Sequence, residues 1–600
     1  MTYPKRLIEV DLPIKRISAH ARREKSIRHG HISTLHIWWA RRPLAACRAV
    51  ICAALWPDPA DEQCPAAFRK AAERIILDFA RKITSHTKLA NDHCSPENFK
   101  LWQKLSSTSA FSLQPLALRS ALLDFIADFA NWDNSTVQEY LDTSRVLTQT
   151  AHESLGGAPG TRPLVVDPLA GGGCIPLEAL RVGADAFASD LNPVPVLLNK
   201  VVLEYIPKYG QRLADEVRKW GDWIKGEAKK ELAEFYPKDP DGATPIAYLW
   251  ARTIQCEGPG CGAEVPLIRF LWLAKKANRS VALQLRPRPK AKRVDFQIIV
   301  KQRGGWVDQD DPKTKIEDPK FDGTVKRGSA TCPCCGYTTP VACVREQLKV
   351  RRGGANHARL MCVVSTRVNE TGRFYRQPTS ADLKAIRNAE TALERQIKAH
   401  IASVSFLPDE KLDIRGIHHT WGMIYGQETW TDHFTRRQLL ALTTITRLVQ
   451  EIAKRKNGDA TFHAAVASCL ALNVGKLADL ANSLCPWEPV AECPRHLFSR
   501  QAVPFISSAA RAKIGTVPSA PMKSVTGATS WPSCPVASTN GCPAWPTKAS
   551  SARTQSLPAS ARPSKSSRAM AESKRPAARS SRLRNTWSRS GLPSPRKPSP

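Results

Sequence analysis

Residues 164–193 contain a glycine-rich loop whose neighbours have the types and spacing of a nucleotide-type binding site. An apolar run, Leu164–Val166, leads into Asp-Pro-Leu-Ala-Gly-Gly-Gly at 167–173. A helix with apolar periodicity follows, and then a second short strand, Ala186–Ser189, which ends at Asp190. Dinucleotide-type sites place an acid roughly 20 residues past such a loop, where it accepts hydrogen bonds from ribose hydroxyls. The sequence therefore predicts a strand–loop–helix–strand unit that binds a ribose-containing cofactor.

The acid before the loop narrows the type of ligand. The loop is not Gly-x-Gly-x-x-Gly, and Asp167 stands directly before it. A carboxylate at this place repels a pyrophosphate and suits a cation. This favours S-adenosylmethionine (AdoMet), which carries an ammonium and a sulfonium, over NAD. A Rossmann-like unit that binds another nucleotide, or none, is the alternative.

Two pairs of cysteines have the spacing of a metal site. Cys256 and Cys261 form the first pair, and Cys332 and Cys335 form the second within Cys-Pro-Cys-Cys-Gly. Four thiolates suit a closed tetrahedral structural zinc site. The remaining cysteines near these pairs are core thiols or substitute ligands: Cys334, Cys343 and Cys362.

Composition and charge restrict the partners and the compartment. The 600 residues carry a formal net charge of +34 and are 42% hydrophobic. A strongly basic chain favours a polyanionic partner, here DNA or RNA, over a merely solvated basic surface. The sequence has no run of 18 apolar residues and no apolar signal region at its start, so we expect no membrane span and a cytoplasmic protein with reduced thiols.

The pattern along the chain predicts an α/β protein with several segments. A Rossmann-like AdoMet-binding sheet is combined with an inserted zinc ribbon, helical segments and a disordered basic tail. The expected segments are an N-terminal block (1–60), a helical segment (61–160), the AdoMet-binding core (161–245), the zinc ribbon (250–345), a helical region (346–504) and the tail (505–600).

The tail differs in composition from the rest of the chain. Residues 505–600 contain sixteen Lys or Arg and a single acid, Glu572, among many Ser, Ala and Pro. Such a segment buries too little apolar surface to offset its ordering entropy, so we expect disorder. A shifted reading frame in a GC-rich gene accounts for the abrupt change, and a natural basic tail that binds nucleic acid is the alternative.

Together these motifs resemble the zinc-ribbon-containing adenine-specific DNA methylases, an AdoMet-dependent bacterial and archaeal family found beside phage-defence genes. The similarity covers about residues 1–504. It rests on His-Ile-Trp-Trp-Ala-Arg-Arg-Pro-Leu at 36–44, on the glycine loop with Ser-Asp-Leu-Asn-Pro at 189–193, and on the paired cysteines. The resemblance implies methyl transfer from AdoMet to the exocyclic amine of adenine in DNA, and partner proteins of a defence system.

The resemblance also implies roles for individual residues. Asp167 and the glycines would border the methionine part of AdoMet, Asp190 would bind the ribose, and Asn192 and Pro193 would shape the adenine pocket. The helix in the N-terminal block (1–60) would close over the cofactor. Arg41 and Arg42 would contact phosphates or the cofactor carboxylate, or lie on a solvated face. The expected cofactor-binding set is Asp167, Pro168, Gly171, Gly172, Gly173, Asp190, Asn192 and Pro193.

The chain departs from the family at the catalytic motif. Adenine methylases hold the flipped base with an Asp-Pro-Pro-Tyr type tetrapeptide, and the 600 residues contain no Pro-Pro pair. We therefore assign no catalytic residue and expect a truncated or frameshifted chain that is inactive alone. A non-catalytic zinc-containing nucleic-acid-binding protein and an RNA methyltransferase are the alternatives.

Overall fold

The chain combines helices and sheets in its described part. The computed structural model describes residues 3–27, 30–36, 42–85, 87–108, 113–412, 420–455, 459–497 and 509–512. All of these belong to one compact unit, Met1–Pro535. The predicted helices and strands of the glycine-loop unit are present, as is a cysteine cluster that could hold a metal ion.

The described part of the first 154 residues contains eight helices. They are α1 Leu7–Val10, α2 Ile14–Glu24, α3 Leu44–Leu55, α4 Ala66–Ser85, α5 Thr87–His93, α6 Pro96–Ser106, α7 Pro115–Phe129 and α8 Gln138–Ser154. All except α5 contribute to one apolar core. Aromatic rings fill the centre, where Phe79 lies edge-on to Trp102 and Phe125 with centroids 5.2 and 4.9 Å apart. The segments 1–60 and 61–160, predicted separately, therefore pack as one helical layer.

The glycine-loop unit follows this layer. Strand β1 (Leu164–Asp167) leads through the loop into α9 (Cys174–Arg181), and β2 (Asp185–Ala188) returns beside β1 in parallel register, with Val166 opposite Phe187. Two further helices, α10 (Pro193–Asn199) and α11 (Ile206–Glu231), come next. Among the described residues this sheet has two strands, so the parallel unit is present but a complete Rossmann-like sheet is not shown.

Antiparallel sheets occupy the middle of the chain. The long strand β3 (Thr244–Gln255) pairs with β4 (Glu264–Leu267) and also with β13 (Arg359–Thr366), which carries β14 (Phe374–Arg376) on its far edge. A five-stranded meander runs through β5 Trp272–Lys275, β6 Ser280–Arg288, β7 Arg293–Gln302, β8 Gly305–Asp308 and β9 Lys315–Ile316. Short strands complete the region: β10 Val325–Lys326, β11 Ser329–Thr331, β12 Thr338–Thr339, β15 Trp487–Glu488 and β16 Cys493–Pro494.

The remaining helices lie between residues 341 and 480. They are α12 Val341–Val350, α13 Ser380–Ala399, α14 Thr420–Met423, α15 Arg436–Ala453 and α16 Ala460–Leu480. Helix α15 begins with a capping box, since Thr435 and Gln438 bond reciprocally at its first turn. Helix α16 is long and apolar enough to cross a membrane, although core helices pass the same test. Its side chains Phe462, Val466 and Leu470 are buried in a core shared with α15 and α11.

The structure differs from the predicted segments in two places. Residues 346–504, expected to be helical, also contain the strands β13 and β14. Strand β13 pairs with β3, which lies more than 100 positions earlier in the chain. The expected helical and zinc-ribbon segments therefore share one sheet. Within the tail, Ala509–Ala512 form a strand, β17, antiparallel to β3. The rest of the predicted disordered tail lies outside the described residues.

Candidate cofactor and metal sites

The glycine loop brings the ends of two parallel strands together. Ala170 N donates to Ser189 O (2.9 Å), and Ser189 N donates to Asp167 O (3.1 Å), which tie the loop to the end of β2. Gly173 is the residue before α9 and has φ = 76°. A Cβ there would lie 2.4 Å from Asn199 Oδ1, so both conformation and space require glycine at this position.

Asp190 is fixed by backbone groups from both sides of the loop. Its Oδ2 accepts a hydrogen bond from Gly171 N and its Oδ1 accepts one from Asn192 N, each 2.9 Å long. These donors, Asn192 N first, hold the pKa of Asp190 below its usual value. A carboxylate in this position remains ionised and keeps lone pairs for hydroxyl donors of a ligand.

A cavity of about 200 Å³ lies between the two acids. It is lined by Arg42, Asp167, Leu169, Ala170, Gly171, Gly172, Cys174, Ile175 and Asp190. Four of the eight predicted cofactor-binding residues are therefore in its wall: Asp167, Gly171, Gly172 and Asp190.

The other four predicted residues support the cavity from outside its wall. Pro168 O accepts from Ser189 Oγ (3.0 Å), and Gly173 begins α9. Asn192 caps α10 by accepting from Val194 N (2.9 Å), and Pro193 is the first residue of that helix. The side-chain oxygen of Asn192 is thus engaged within the protein.

Cys174, Ile175 and Arg42 line the cavity but were not in the predicted cofactor-binding set. Cys174 and Ile175 belong to the first turn of α9, and a helix that starts directly after a glycine loop is the signal that places its first turn at the ligand. Arg42 reaches the cavity from just before α3; it was predicted, together with Arg41, to contact phosphates or the cofactor carboxylate or to lie on a solvated face. The neighbouring residues of that block, Trp38 to Arg41, lie outside the described residues.

A buried ion-pair network anchors α9 under the cavity. Arg48 of α3 places its Nε 2.6 Å from Glu178 Oε2 of α9, and Arg181 contacts the other oxygen. Arg48 also donates to Asn131 O (3.2 Å) and to Phe129 O. Arg48 and Glu178 are 1% and 0% exposed. The N-terminal helices thereby fix the helix that carries the loop.

Glu24 fixes the start of α3 in the same layer. Its carboxylate accepts from Leu44 N (2.9 Å) and Ala45 N (3.0 Å) and lies 2.8 Å from His31 Nε2. Burial alone would raise its pKa, but His31 and the two backbone donors hold the pKa of Glu24 below its usual value. His31 is therefore a structural residue.

One face of the parallel pair is uncovered. Val165 and Ala186 face the helical core, whereas Leu164, Val166 and Phe187 are 62%, 55% and 55% exposed on the opposite face. Parallel sheets are normally covered on both faces. Among the described residues, the two strands thus have an exposed apolar face.

The four predicted zinc ligands form one cluster. The Sγ atoms of Cys256, Cys261, Cys332 and Cys335 all lie within 4.8 Å of one another. Cys256 and Cys335 are 3.5 Å apart, and Cys261 and Cys332 are 3.8 Å apart. Zinc–sulfur bonds of about 2.3 Å place the sulfurs of a tetrahedral site roughly 3.8 Å apart, so the cluster fits a four-coordinate zinc ion.

Backbone turns shape both cysteine pairs. Gly258 N donates to Cys256 Sγ (3.3 Å), and Gly336 N donates to Cys332 O (2.9 Å). A Cβ on Gly258 would lie 2.8 Å from Tyr337 Cβ and 3.1 Å from Cys335 Sγ. Glycine at 258 is therefore required for the close approach of the two turns.

Cys334, which lies between the two cysteines of the second pair, is not part of the cluster. Cys334 Sγ donates instead to Arg293 O (3.5 Å). Burial raises the pKa of the Cys256 thiol, so this residue ionises when a bound cation offsets the charge. The cluster of four sulfurs could hold a metal ion.

Comparisons with known proteins add one match. The family described as "Protein of unknown function (DUF1156)" matches residues 11–79. The matched stretch spans α2, α3 and most of α4 and includes Glu24 and Arg48 of the layer below the loop. No curated protein and no solved structure matches the chain.

Proposed function

We propose that this chain is the cofactor-binding part of an AdoMet-dependent adenine methyltransferase acting on DNA, without catalytic activity of its own. One observation carries the proposal. Asp167 ends β1, Asp190 follows the end of its parallel partner β2, and both aspartates line one cavity with Gly171 and Gly172. Ligands of open α/β units bind at this carboxyl edge of the strands.

The lining residues suit the separate parts of AdoMet. Asp190, held ionised by backbone donors, would accept hydrogen bonds from the ribose hydroxyls. Asp167 would attract the ammonium, and Arg42 would pair with the carboxylate of the methionine part. When bound, AdoMet supplies an electrophilic methyl group.

The size of the cavity indicates that the described site is partial. Its volume of about 200 Å³ is below the ~300–1,000 Å³ of typical ligand pockets. Leu164, Val166 and Phe187, which form the exposed apolar face, belong to the two strands that lead to the cavity. We infer that additional strands complete both the sheet and the pocket, and that the catalytic residues belong to them.

We further propose that the ion held by the cysteine cluster is zinc and that its role is structural. All four coordination positions are filled by protein thiolates, which leaves none for water or substrate. The assignment of DNA as substrate is supported by the resemblance and by the net charge of +34. Defence-system partners remain a prediction of the same resemblance, and a cytoplasmic location remains a prediction from the sequence.

A second candidate is a non-catalytic zinc-containing nucleic-acid-binding protein. The lack of any Pro-Pro pair in the sequence favours it, because the catalytic tetrapeptide of adenine methylases is then absent. RNA in place of DNA is a variant of either proposal. Labelled AdoMet incubated with DNA and RNA tests these points, and methyl transfer by this chain alone would contradict the missing catalytic site.

Competition dialysis tests the cofactor assignment. We expect the protein to retain labelled AdoMet, and S-adenosylhomocysteine to displace it because it has the same ribose and amino acid ends. NAD and ATP should compete poorly, since Asp167 repels their phosphates. Equal competition by NAD or ATP would show a general nucleotide site, and no retention of AdoMet would refute the proposal.

A further inference from the structure

Strands β6 and β7 of the five-stranded meander are joined by a strongly basic hairpin. Side chains alternate across a strand, and Leu283 of β6 with Phe296 and Ile298 of β7 face the core. Their neighbours Gln284, Arg286 and Arg288 therefore face outward, paired across the strands with Gln297, Asp295 and Arg293.

The connection between β6 and β7 concentrates positive charge. We call residues 286–293, Arg-Pro-Arg-Pro-Lys-Ala-Lys-Arg, the basic hairpin; it contains five cations and no acid. All eight residues are exposed. Pro287 and Pro289 fix their own φ angles, so the backbone that presents the charges has few alternatives.

Neighbouring acids neutralise little of this charge. Asp295 pairs with Arg288 (3.3 Å) and Arg293 (3.0 Å), and it also meets Arg359 (3.2 Å). One carboxylate thus serves three guanidinium groups. Lys290 and Lys292 form no ion pair with the residues that the structure describes.

The basic hairpin is joined to the cysteine cluster through its backbone. Lys292 O accepts from Glu264 N (2.8 Å), three residues after Cys261, and Arg293 O accepts from Cys334 Sγ (3.5 Å). Both cysteine turns therefore contact the end of the hairpin. A metal ion that holds the two turns together also holds the hairpin in position.

We propose that the basic hairpin binds the phosphate backbone of a nucleic acid and that the metal site positions it for this contact. Exposed lysine and arginine side chains on a rigid turn neutralise successive phosphates, which drives binding through counterion release. The inference rests on the proposed nucleic-acid substrate and names the surface that binds it. It does not depend on the glycine loop.

Fluorescence anisotropy with a labelled 30-mer tests the proposal on the full chain. The probes are DNA duplex, DNA single strand and RNA of one sequence, without AdoMet. The test variant is Lys290→Gln with Lys292→Gln. The matched control, Lys229→Gln with Lys230→Gln, removes the same charge from the exposed end of α11.

We expect the hairpin variant to lose roughly 10- to 60-fold in affinity at about 0.1 M salt, and its log–log salt slope on duplex to fall by about 1.8. The control should change less than about twofold. Equal losses in both variants would show nonspecific charge and overturn the proposal, as would no binding of the wild type to any probe. A loss confined to one probe supports the proposal and identifies that nucleic acid.

Metal removal tests the second half of the inference. Chelation, monitored by metal content, should weaken binding at least as much as the double substitution, because the hairpin loses its anchors. Unchanged affinity after complete metal loss would overturn the positioning role. AdoMet binding by the hairpin variant, measured separately, distinguishes failure of this surface from failure of the cofactor site.

Discussion

Replacing Arg48 by Met should destabilise α9, the helix that follows the glycine loop. The substitution keeps an unbranched apolar stem but removes the guanidinium that lies 2.6 Å from Glu178 Oε2 and donates to two backbone carbonyls. Glu178 is 0% exposed, so its charge cannot regain water without local opening. Arg181 remains as its partner on one oxygen.

The expected cost follows from this burial. Breaking a buried ion pair by removing one partner costs about 3–5 kcal/mol, and unsatisfied buried carbonyls contribute about 1–3 kcal/mol each within such a total. Removing one partner of an exposed pair costs about 0.3–0.5 kcal/mol. Lys82→Met is the matched control, since Lys82 and Asp78 form an exposed i,i+4 pair with side chains 61% and 53% exposed.

Hydrogen exchange reports the local free energy of opening at α9. The amides of Leu177 and Val182, which close the first and last turns of the helix, should exchange on the order of 10²- to 10³-fold faster in Arg48→Met. Lys82→Met should leave them within about threefold. Equal exchange rates in the two variants would refute the claim that this network fixes the loop.

Further predictions concern pH and metal content. The folded pKa of Glu24 is lowered, so the stability that Glu24 contributes is present above its unfolded pKa of about 4.3. Urea melts should show a higher free energy of unfolding for the wild type than for Glu24→Gln at pH 7, and this difference should close as pH falls below about 4. Burial lowers the pKa of His433 to about 4, so the neutral imidazole is favoured in the fold. The free energy of unfolding should therefore fall by ~3 kcal/mol as pH falls from about 6.5 to 4. His433→Gln should lose correspondingly less stability over this range, and parallel pH profiles of the two proteins would contradict this. Metal analysis should find about one zinc per chain, strongly reduced in Cys256→Ser and retained in Cys334→Ser, whose thiol points to Arg293 O. Equal retention in both variants would contradict the ligand set.

Local patterns predicted the elements that carry the candidate sites. The strand expected at Leu164–Val166 is β1, and the strand expected at Ala186–Ser189 is present one residue earlier as Asp185–Ala188. Cysteine spacing predicted all four members of the cluster. These features depend on neighbouring residues, so periodicity and spacing are sufficient to find them.

Nonlocal pairings were not predictable in the same way. Strand β13 pairs with β3 across an intervening meander, and no residue within either strand identifies its partner. Arg48 and Glu178, 130 positions apart, meet because α3 packs on α9. Arg42 reaches the cavity for the same reason, so its position in the site depends on tertiary packing.

The central claim is that the unit built on Asp167 and Asp190 binds AdoMet. Calorimetric titration of AdoMet into the purified chain tests it most directly, with Asp190→Ala and the control Asp185→Ala at the start of β2. The account predicts binding near one molecule per chain, lost in Asp190→Ala and retained in Asp185→Ala, whose side chain is not part of the cavity wall. No heat of binding with the wild-type chain, or equal binding by both variants, would contradict it.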